Sequence, residues 1–197
     1  MPGTRIAYSL RLPATGEGRL TERAELREAP DVRLRMGVES WYAFSFLLPA
    51  DFPIVETRLV IARWKQSFNE PSKDRSPMVS LRYIEGNLKI YVERDRGQRE
   101  LYIEKIDLRN KWVDMVFHII PKAFKGGLLQ VWKNGKQIVD YKGALGFKDD
   151  ADEIYFKLGL YRDQMQVPKG ARENIFTMYF RSNIQDVIPG FFPCMKT

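Results

Sequence analysis

The sequence predicts an all-β protein built as a two-sheet antiparallel β-sandwich. Apolar and polar residues alternate with a period of two through most of the chain, the alternating stretches are rich in aromatic and β-branched residues, and no convincing helix longer than a turn or two is visible. Two packed sheets let many short strands bury one face each. A chain of 197 residues should bury roughly 70% of its unfolded surface, so we expect a single domain over residues 1–197.

Twelve segments fit the strand pattern. They are residues 5–12, 22–28, 41–48, 57–64, 78–84, 87–94, 99–105, 113–120, 128–133, 136–141, 154–161 and 175–181. Asn134-Gly135 lies between two of them and is a strong signal for a type I′ hairpin turn, and Glu85-Gly86-Asn87 is a second candidate turn. A short helical turn is expected, if anywhere, around Asp107 to Lys111 or in Asp149 to Glu153.

The charge of the chain favours an anionic partner. Its 32 Lys and Arg exceed its 25 Asp and Glu by seven. Nucleic acid is not expected, because no helix-turn-helix, zinc finger or basic helix is visible and the basic residues are interleaved with acids. A membrane is not expected either, because the chain has neither a basic amphipathic helix nor a long apolar run. An acidic polysaccharide, with a carboxylate on each sugar, would use the same charge.

The sequence offers few residues for metal or disulfide chemistry. Cys194 is the only cysteine and His118 the only histidine, which excludes an intrachain disulfide, a Cys-rich metal site and a His-cluster zinc site. We therefore expect no required cofactor and no metal in the site. The first ten residues, MPGTRIAYSL, lack the apolar segment of a secretory signal. A cytoplasmic location and removal of a signal both stay open, and the oligomeric state is not indicated.

The stretch YFKLGLYRDQ, Tyr155 to Gln164, is the strongest candidate for a functional strand. Alternate residues share one face of a strand, so Tyr155, Lys157, Gly159 and Tyr161 form a polar row opposite apolar residues. Lys157 and Tyr161 would lie roughly 13 Å apart at ~3.3 Å per residue, with bare backbone between them where a sugar ring could lie. An ordinary amphipathic strand gives the same pattern.

This stretch resembles the YxKxGxY signature of jelly-roll polysaccharide lyases, which include alginate lyases, glucuronan lyases and the heparin lyase I-like group. Other segments resemble the same enzymes in the same order. They are TERAELRE at 21–28, WYAFSFLLP at 41–49 followed by Asp51-Phe52-Pro53, IARWKQ at 61–66, WVDMVFHI at 112–119, VWKNGK at 131–136 and VDYKG at 139–143. No single motif is specific, but their colinearity over residues 21 to 181 supports the resemblance.

The resemblance implies a jelly-roll, concanavalin-like sandwich in which one curved sheet forms a concave substrate groove. It also implies β-elimination on a 4-linked uronic-acid polysaccharide of the glucuronan or alginate type, and a secreted or periplasmic location. Some relatives bind a structural calcium ion. Asp149, Asp150 and Asp152 are the candidate residues for such an ion here, although a run of this kind also fits a solvated loop.

Strand parity nominates the residues of the groove. In TERAELRE, Arg23, Glu25 and Arg27 share a face. In the IARWKQ segment, Arg63 and Lys65 share a face. In the SLRYI segment, Arg82 lies opposite its apolar neighbours. If these faces meet the polar row of YFKLGLYR, the groove carries several cations, one acid and two phenols.

The implied chemistry removes the C5 proton, which lies α to a carboxylate, and cations must neutralise the resulting enediolate. Arg63, Lys65 or Arg23 could pair with that carboxylate. In the related enzymes a single tyrosine commonly acts as base, acid or both, and Tyr161 is the matching position. A nearby cation would favour its phenolate. Lys157 and Arg162 are the candidates by sequence, although Arg162 has the opposite parity.

The chain departs from the family at one position pair. Many of these lyases have Gln and His two residues apart in the strand that reads IARWKQ here, where this chain has Arg63 and Lys65. An arginine can bind a carboxylate bidentately, and a lysine can bind it as a point charge, but neither replaces a histidine near neutral pH. His118 is kept as a further groove candidate, although a lone histidine on a strand is more often structural.

We therefore assign catalytic roles to Tyr161, Lys157, Arg63 and Lys65, and substrate binding to Arg23, Glu25, Arg27, Arg82, Tyr155 and His118. The alternative is a non-catalytic jelly-roll module that binds acidic polysaccharide. A glycoside hydrolase would need two facing carboxylates, and Glu25 has no obvious partner in the sequence.

Overall fold

A computed structural model gives the arrangement of thirteen strands, and it describes residues 7–12, 21–67, 76–148, 153–163 and 176–181. The strands are β1 (Ala7–Leu12), β2 (Thr21–Arg27), β3 (Leu34–Arg35), β4 (Ser40–Leu47), β5 (Leu59–Gln66), β6 (Val79–Ile84), β7 (Asn87–Val92), β8 (Arg99–Lys105), β9 (Trp112–Ile120), β10 (Gly127–Lys133), β11 (Lys136–Gly143), β12 (Glu153–Asp163) and β13 (Phe176–Arg181). All twelve predicted strands are present, with ends displaced by at most two residues. The two-residue strand β3 was not predicted.

The strands form two antiparallel sheets, which confirms the predicted sandwich. The back sheet has the order β1-β13-β4-β9-β10-β11. The groove sheet has the order β2-β12-β5-β6-β7-β8, and β3 also pairs with β12. Because β2, β12, β5 and β6 are neighbours in one sheet, the four segments that parity nominated for the groove lie side by side.

Both predicted hairpin turns are present. Asn134 and Gly135 have φ angles of 50° and 77° between β10 and β11, and Glu85 and Gly86 have 52° and 76° between β6 and β7. Two consecutive positive φ angles are the signature of a type I′ turn, whose twist matches that of the strands it joins. These turns fix the register of their hairpins and therefore which side chains face the core.

The core lies between the inner faces of the two sheets. Trp64 of the groove sheet is fully buried, and its ring centroid lies 4.6 Å from that of Phe117 in the back sheet. Phe44 and Phe156 extend this aromatic cluster. Burying such large apolar side chains is worth roughly 1.5–3 kcal/mol each, so the inner faces fix the sandwich and leave the outer faces available for polar residues.

Two predictions about helices have different outcomes. The segment from 107 to 111 is not helical; instead Asp107 accepts a hydrogen bond from the backbone N–H of Arg109 at 3.0 Å and pairs with its guanidinium. Most of the segment from 149 to 153 lies outside the described residues. A three-residue 3-10 turn at Pro30–Val32 was not predicted. In the described part of the chain, no helix has the length and hydropathy that a membrane span requires.

Candidate active site

Strand β12 presents its polar row on the outer face of the groove sheet, as the alternation predicted. Ile154, Leu158 and Leu160 lie in the core. Tyr155, Lys157 and Tyr161 line a cavity on the opposite face of the strand; we call it the groove cavity and give its complete lining below.

Strand β2 places a second polar row directly beside the first. In the register of β2 and β12, Arg23 pairs with Tyr161 and Arg27 pairs with Lys157. Glu25 lies between these two arginines, opposite Gly159. The predicted common face of Arg23, Glu25 and Arg27 therefore meets the polar face of β12.

Strand β5 is brought into line by a β-bulge that the sequence analysis missed. Against β12, Leu158 pairs with Ala62 but Tyr161 pairs with Val60. Against β6, Val60 pairs with Arg82 and Ala62 with Leu81, so Ile61 is an extra residue of β5. Ile61 and Ala62 both belong to the core. The outward face of β5 therefore continues from Arg63 and Lys65 to Val60 and on to Arg58, which a strict period of two would have turned inward.

The groove cavity has a volume of about 310 Å³. It is lined by Arg23, Arg58, Val60, Arg63, Lys65, Ser76, Pro77, Arg82, Tyr155, Lys157 and Tyr161. Six of these lining residues are cationic and none is a carboxylate, within the part of the chain that the structure describes. Such a surface attracts polyanions and focuses positive potential into a small volume. Of these residues, Arg58, Val60, Ser76 and Pro77 were not identified from the sequence.

A buried carboxylate holds two of the cations in place. Glu25 accepts a hydrogen bond from Nη2 of Arg63 at 2.6 Å and another from Nζ of Lys157 at 3.2 Å. Only 5% of the Glu25 side chain is exposed. Burial lowers the pKa of Lys157, and the nearby charge of Arg63 lowers it further, while Glu25 opposes both effects. Glu25 therefore acts as the counter-ion of a cation pair.

The ring of Tyr161 lies among guanidinium groups. The Cζ atom of Arg63 is 4.3 Å from the ring centroid, that of Arg23 is 5.7 Å away and that of Arg58 is 6.0 Å away. Positive charge at these distances favours negative charge developing at or beside the phenol. The ring of Tyr155 also lies near three cations, with the Cζ atoms of Arg27 and Arg33 at 4.1 and 5.8 Å and Nζ of Lys157 at 5.9 Å.

Two candidate residues from the sequence, His118 and Arg162, lie outside the groove cavity. The expectation that His118 belongs to the groove is wrong: it lies on β9 of the back sheet, stacked on Trp41 with a centroid separation of 4.0 Å. Its ring nitrogens contact Glu39 and Gln130 at 2.6 and 2.9 Å. Arg162, which had the opposite parity, is fully buried and does not line the cavity.

Seven of the other predicted groove residues line the cavity, namely Arg23, Arg63, Lys65, Arg82, Tyr155, Lys157 and Tyr161. Arg27 and Glu25 lie beside β12 on β2 but do not line it, and Glu25 instead binds Arg63 and Lys157. Arg63 pairs with Lys157 and Lys65 with Tyr155 across β5 and β12, so the residues that depart from the family pattern face the cavity. No cluster of three metal-ligating side chains occurs among the described residues. The aspartates considered for calcium, Asp149, Asp150 and Asp152, lie outside them.

The chain is similar to known polysaccharide-degrading proteins. A family model described as polysaccharide lyase matches residues 7–182. The endo-β-1,4-glucuronan lyase of the fungus Trichoderma reesei superposes with a TM-score of 0.74 at 16% identity, over 92% of this chain and 83% of its own. The alginate lyase of Corynebacterium sp. gives a TM-score of 0.60 at 17% identity, over 87% and 73%.

The same fold also occurs in a hydrolase. The catalytic domain of a GH131 β-glucanase from Podospora anserina has a TM-score of 0.59 at 14% identity, over 89% of this chain and 69% of its own. No curated protein matches the chain by sequence. At these identities the solved structures show the fold alone, whereas the family model matches most of the chain.

Proposed function

The chain belongs to the polysaccharide lyase family, and from that premise we propose that its groove cavity cleaves a 4-linked uronic-acid polysaccharide, of the glucuronan or alginate type, by β-elimination. One observation carries the proposal: the Tyr161 phenol lies among the guanidinium groups of Arg23, Arg58 and Arg63, in a cavity lined by cations. Two solved enzymes of the same fold are named as a glucuronan lyase and an alginate lyase, which supports a uronan substrate.

The cationic lining suits the difficult step of this reaction. Removing the C5 proton converts the neighbouring carboxylate into an enediolate, which adds a second negative charge. Arg63, Lys65 and Arg23 would stabilise that charge, and a single well-placed donor of this type is typically worth about 2.7–4 kcal/mol. Because Glu25 holds Arg63 before the substrate arrives, this guanidinium needs little reorganisation as the charge develops.

Tyr161 is the residue we assign to proton transfer. Its phenol would take the C5 proton, or deliver a proton to the departing O4, or do both in turn. Lys157, held by Glu25, adds positive charge on the same strand face. Lys65 would bind a carboxylate as a point charge in the place where many relatives have histidine.

A hydrolytic reaction is less compatible with the site. Two facing carboxylates are the usual requirement for glycoside hydrolysis. No carboxylate lines the cavity among the residues described, and Glu25 is already bound to Arg63 and Lys157. Sharing a fold with the β-glucanase therefore does not make hydrolysis the expected reaction of this chain.

The proposal is tested by incubating the protein with glucuronan, polymannuronate, polyguluronate and a neutral β-glucan. β-Elimination creates an unsaturated uronate that absorbs in the ultraviolet, whereas hydrolysis does not. We expect absorbance to rise with at least one uronan and not with the neutral glucan. Binding of a uronan without any rise in absorbance would instead assign the chain to the non-catalytic binding class.

A further inference from the structure

Arg82 is a buried cation of the groove cavity whose role the proposed reaction leaves open. It lies on β6, where it pairs with Val60 of β5, and Val60 in turn pairs with Tyr161 of β12. Arg82 is only 5% exposed, yet it lines the cavity together with Val60 and Tyr161. Its Cα is two strand spacings from that of Tyr161, roughly 10 Å.

The direct contacts of Arg82 do not include a charged group. Its Nε donates a hydrogen bond to Oγ of Ser80 at 2.9 Å, and its Nη1 lies a long 3.5 Å from Oε1 of Gln98. Its guanidinium also lies over the ring of Tyr91, 4.3 Å from the centroid. No carboxylate of a described residue forms an ion pair with it. All of its partners are therefore neutral.

Arg63 has the opposite environment. Its guanidinium is bound at 2.6 Å by the carboxylate of Glu25, which is itself buried. Arg63 is thus in direct contact with a carboxylate, whereas Arg82 is not: the charge of Glu93 acts on Arg82, but Glu93 itself binds Gln98. An incoming anion gains more by approaching a buried cation that lacks a counter-ion than one already paired.

Other charges strengthen this contrast. Burial lowers the pKa of Arg82 to about 10, and the charge of Arg58 contributes in the same direction, while Tyr91 and Glu93 oppose them. Arg82 therefore stays cationic at neutral pH although its surroundings disfavour the charge. The charge of Arg58 adds to the cost of keeping the buried Arg82 charged, and a bound anion would offset that cost.

We propose that Arg82 and Arg58 form an anion-binding subsite that holds the carboxylate of the uronate unit next to the one that reacts at Tyr161. The two-strand separation of Arg82 from Tyr161 fits a neighbouring sugar unit better than the reacting one. Arg58 is near both, since its Cζ atom is 6.0 Å from the Tyr161 ring and its charge acts on Arg82. The subsite rests on the proposed function only for the identity of its ligand as a uronate.

Binding of glucuronan and alginate oligosaccharides, measured by calorimetry, tests the subsite without relying on turnover. Tyr161→Phe serves as the common background so that the ligand is not consumed. Adding Arg82→Met should weaken uronate binding by about 10-fold or more, the loss expected for a charged hydrogen bond. Because methionine removes a buried charge and keeps similar packing, Tm should not fall.

Arg99→Met is the matched control. Arg99 is exposed, and its guanidinium lies 5.7 Å from the ring of Tyr141 in the back sheet. The control should change uronate affinity by less than about 2-fold, since long-range charge effects are screened by salt. Affinity for a neutral oligosaccharide should be the same in all variants.

The subsite would be overturned if Arg82→Met left uronate affinity unchanged. It would also be overturned if the Tyr161→Phe background, with Arg82 intact, bound no uronate. If Arg82→Met loses both affinity and Tm, Arg82→Lys separates the causes, because it keeps the charge but not the planar set of donors. Partial recovery of affinity then supports the subsite, and no recovery at a native Tm overturns it. With otherwise unsubstituted protein, Arg82→Met should raise KM and leave kcat nearly unchanged.

Failure of the proposed function gives a different result. Uronates would then bind in an Arg82-dependent way while the ultraviolet absorbance stays flat for every polymer. Conversely, elimination with the same KM in Arg82→Met as in the unsubstituted protein would remove the subsite and leave the lyase activity intact.

Discussion

At the scale of single residues, Tyr161 and Tyr155 are chemically alike but have different surroundings. Both lie on the outer face of β12, but Arg63 and Arg58 approach the ring of Tyr161, whereas Arg27 approaches that of Tyr155. Arg63 in turn is fixed by Glu25. Tyr161 is the phenol whose neighbouring guanidinium groups all line the cavity, whereas Arg27 and Arg33, which lie near the Tyr155 ring, do not. Cations that are in place before the reaction stabilise developing negative charge without reorganisation, which favours Tyr161 for proton transfer.

Tyr161→Phe should therefore lower kcat by at least ~10²-fold, the usual effect of a lost general acid or base. The substitution removes only a hydroxyl and keeps the ring, so Tm should change little. Tyr155→Phe is the matched control and should have a smaller effect, and Lys157→Ala should also reduce turnover. Steady-state rates from ultraviolet absorbance provide the measurement. Turnover by Tyr161→Phe close to that of the unsubstituted protein would remove the proposed mechanism.

Lys157 should give the groove a pH dependence. Its pKa is lowered by burial and by the charge of Arg63. It therefore loses its proton at a lower pH than an ordinary lysine, and the cavity loses one positive charge as the pH rises through that lowered value. Between the lowered pKa and the ordinary one, Lys157 binds more protons in the unfolded chain than in the folded chain, so its contribution to folding stability rises with pH. Uronan affinity falls over the same range, because the cavity loses a positive charge.

Uronan affinity measured across alkaline pH tests this expectation. The unsubstituted protein should lose affinity in a step below the pH at which exposed lysines discharge. Lys157→Met should bind more weakly at neutral pH and should lack that step. Lys142→Met, at an exposed position of β11, should keep it. If Lys157→Met showed the same loss of affinity at the same pH as the unsubstituted protein, a group other than Lys157 would be responsible for the step.

At the scale of strands, the bulge between β5 and β12 determines which side chains meet in the cavity. Gly159 lies in the bulged part of β12 and has a φ of 147°, a value that side-chain-bearing residues rarely adopt. The extra residue lets Tyr161 pair with Val60 while Lys157 still pairs with Arg63. Without it, the phenol and the guanidinium groups would not share this register.

Gly159→Ala should strain that backbone by about 1–3 kcal/mol and displace Tyr161. A displacement of about 1 Å can cost as much as ~10²-fold in rate, so kcat should fall by ~10-fold or more. Gly37→Ala is the control, because Gly37 also has a positive φ, of 80°, with open space around it in a turn. It should lower Tm by a similar amount and leave kcat unchanged. Equal rates in both variants would show that the bulge does not position the site.

The strands themselves were predictable, because their alternation records which face is buried. Tyr155, Lys157 and Arg82 were placed correctly by parity alone. Parity fails where a bulge adds a residue: Ile61 is extra in β5, so Arg58 lines the cavity although a strict period of two turns it inward. His118 failed for another reason: alternation tells the face of a strand but not which sheet the strand joins, and β9 joins the back sheet.

At the scale of the whole molecule, the net charge of +7 is less informative than its location. Six cations line one cavity of about 310 Å³, and Glu25 pairs with two of them, Arg63 and Lys157. Positive charge is therefore concentrated at this cavity on the outer face of the groove sheet. Composition could predict an anionic partner, but only the order of strands in the sheet could show that the charges converge.

This concentration of charge predicts binding that is sensitive to salt. Exposed charges are screened over ~8 Å at physiological ionic strength and over shorter distances at higher salt, so affinity for a uronan should fall steadily as salt is added. Arg63→Ala and Lys65→Ala should lose affinity for uronans and not for neutral glucans. Tm should be followed at each salt concentration, so that any loss of affinity can be separated from unfolding. Equal affinity for uronans and neutral glucans at low salt would contradict recognition by charge, because the carboxylates of the uronan would then contribute nothing to binding.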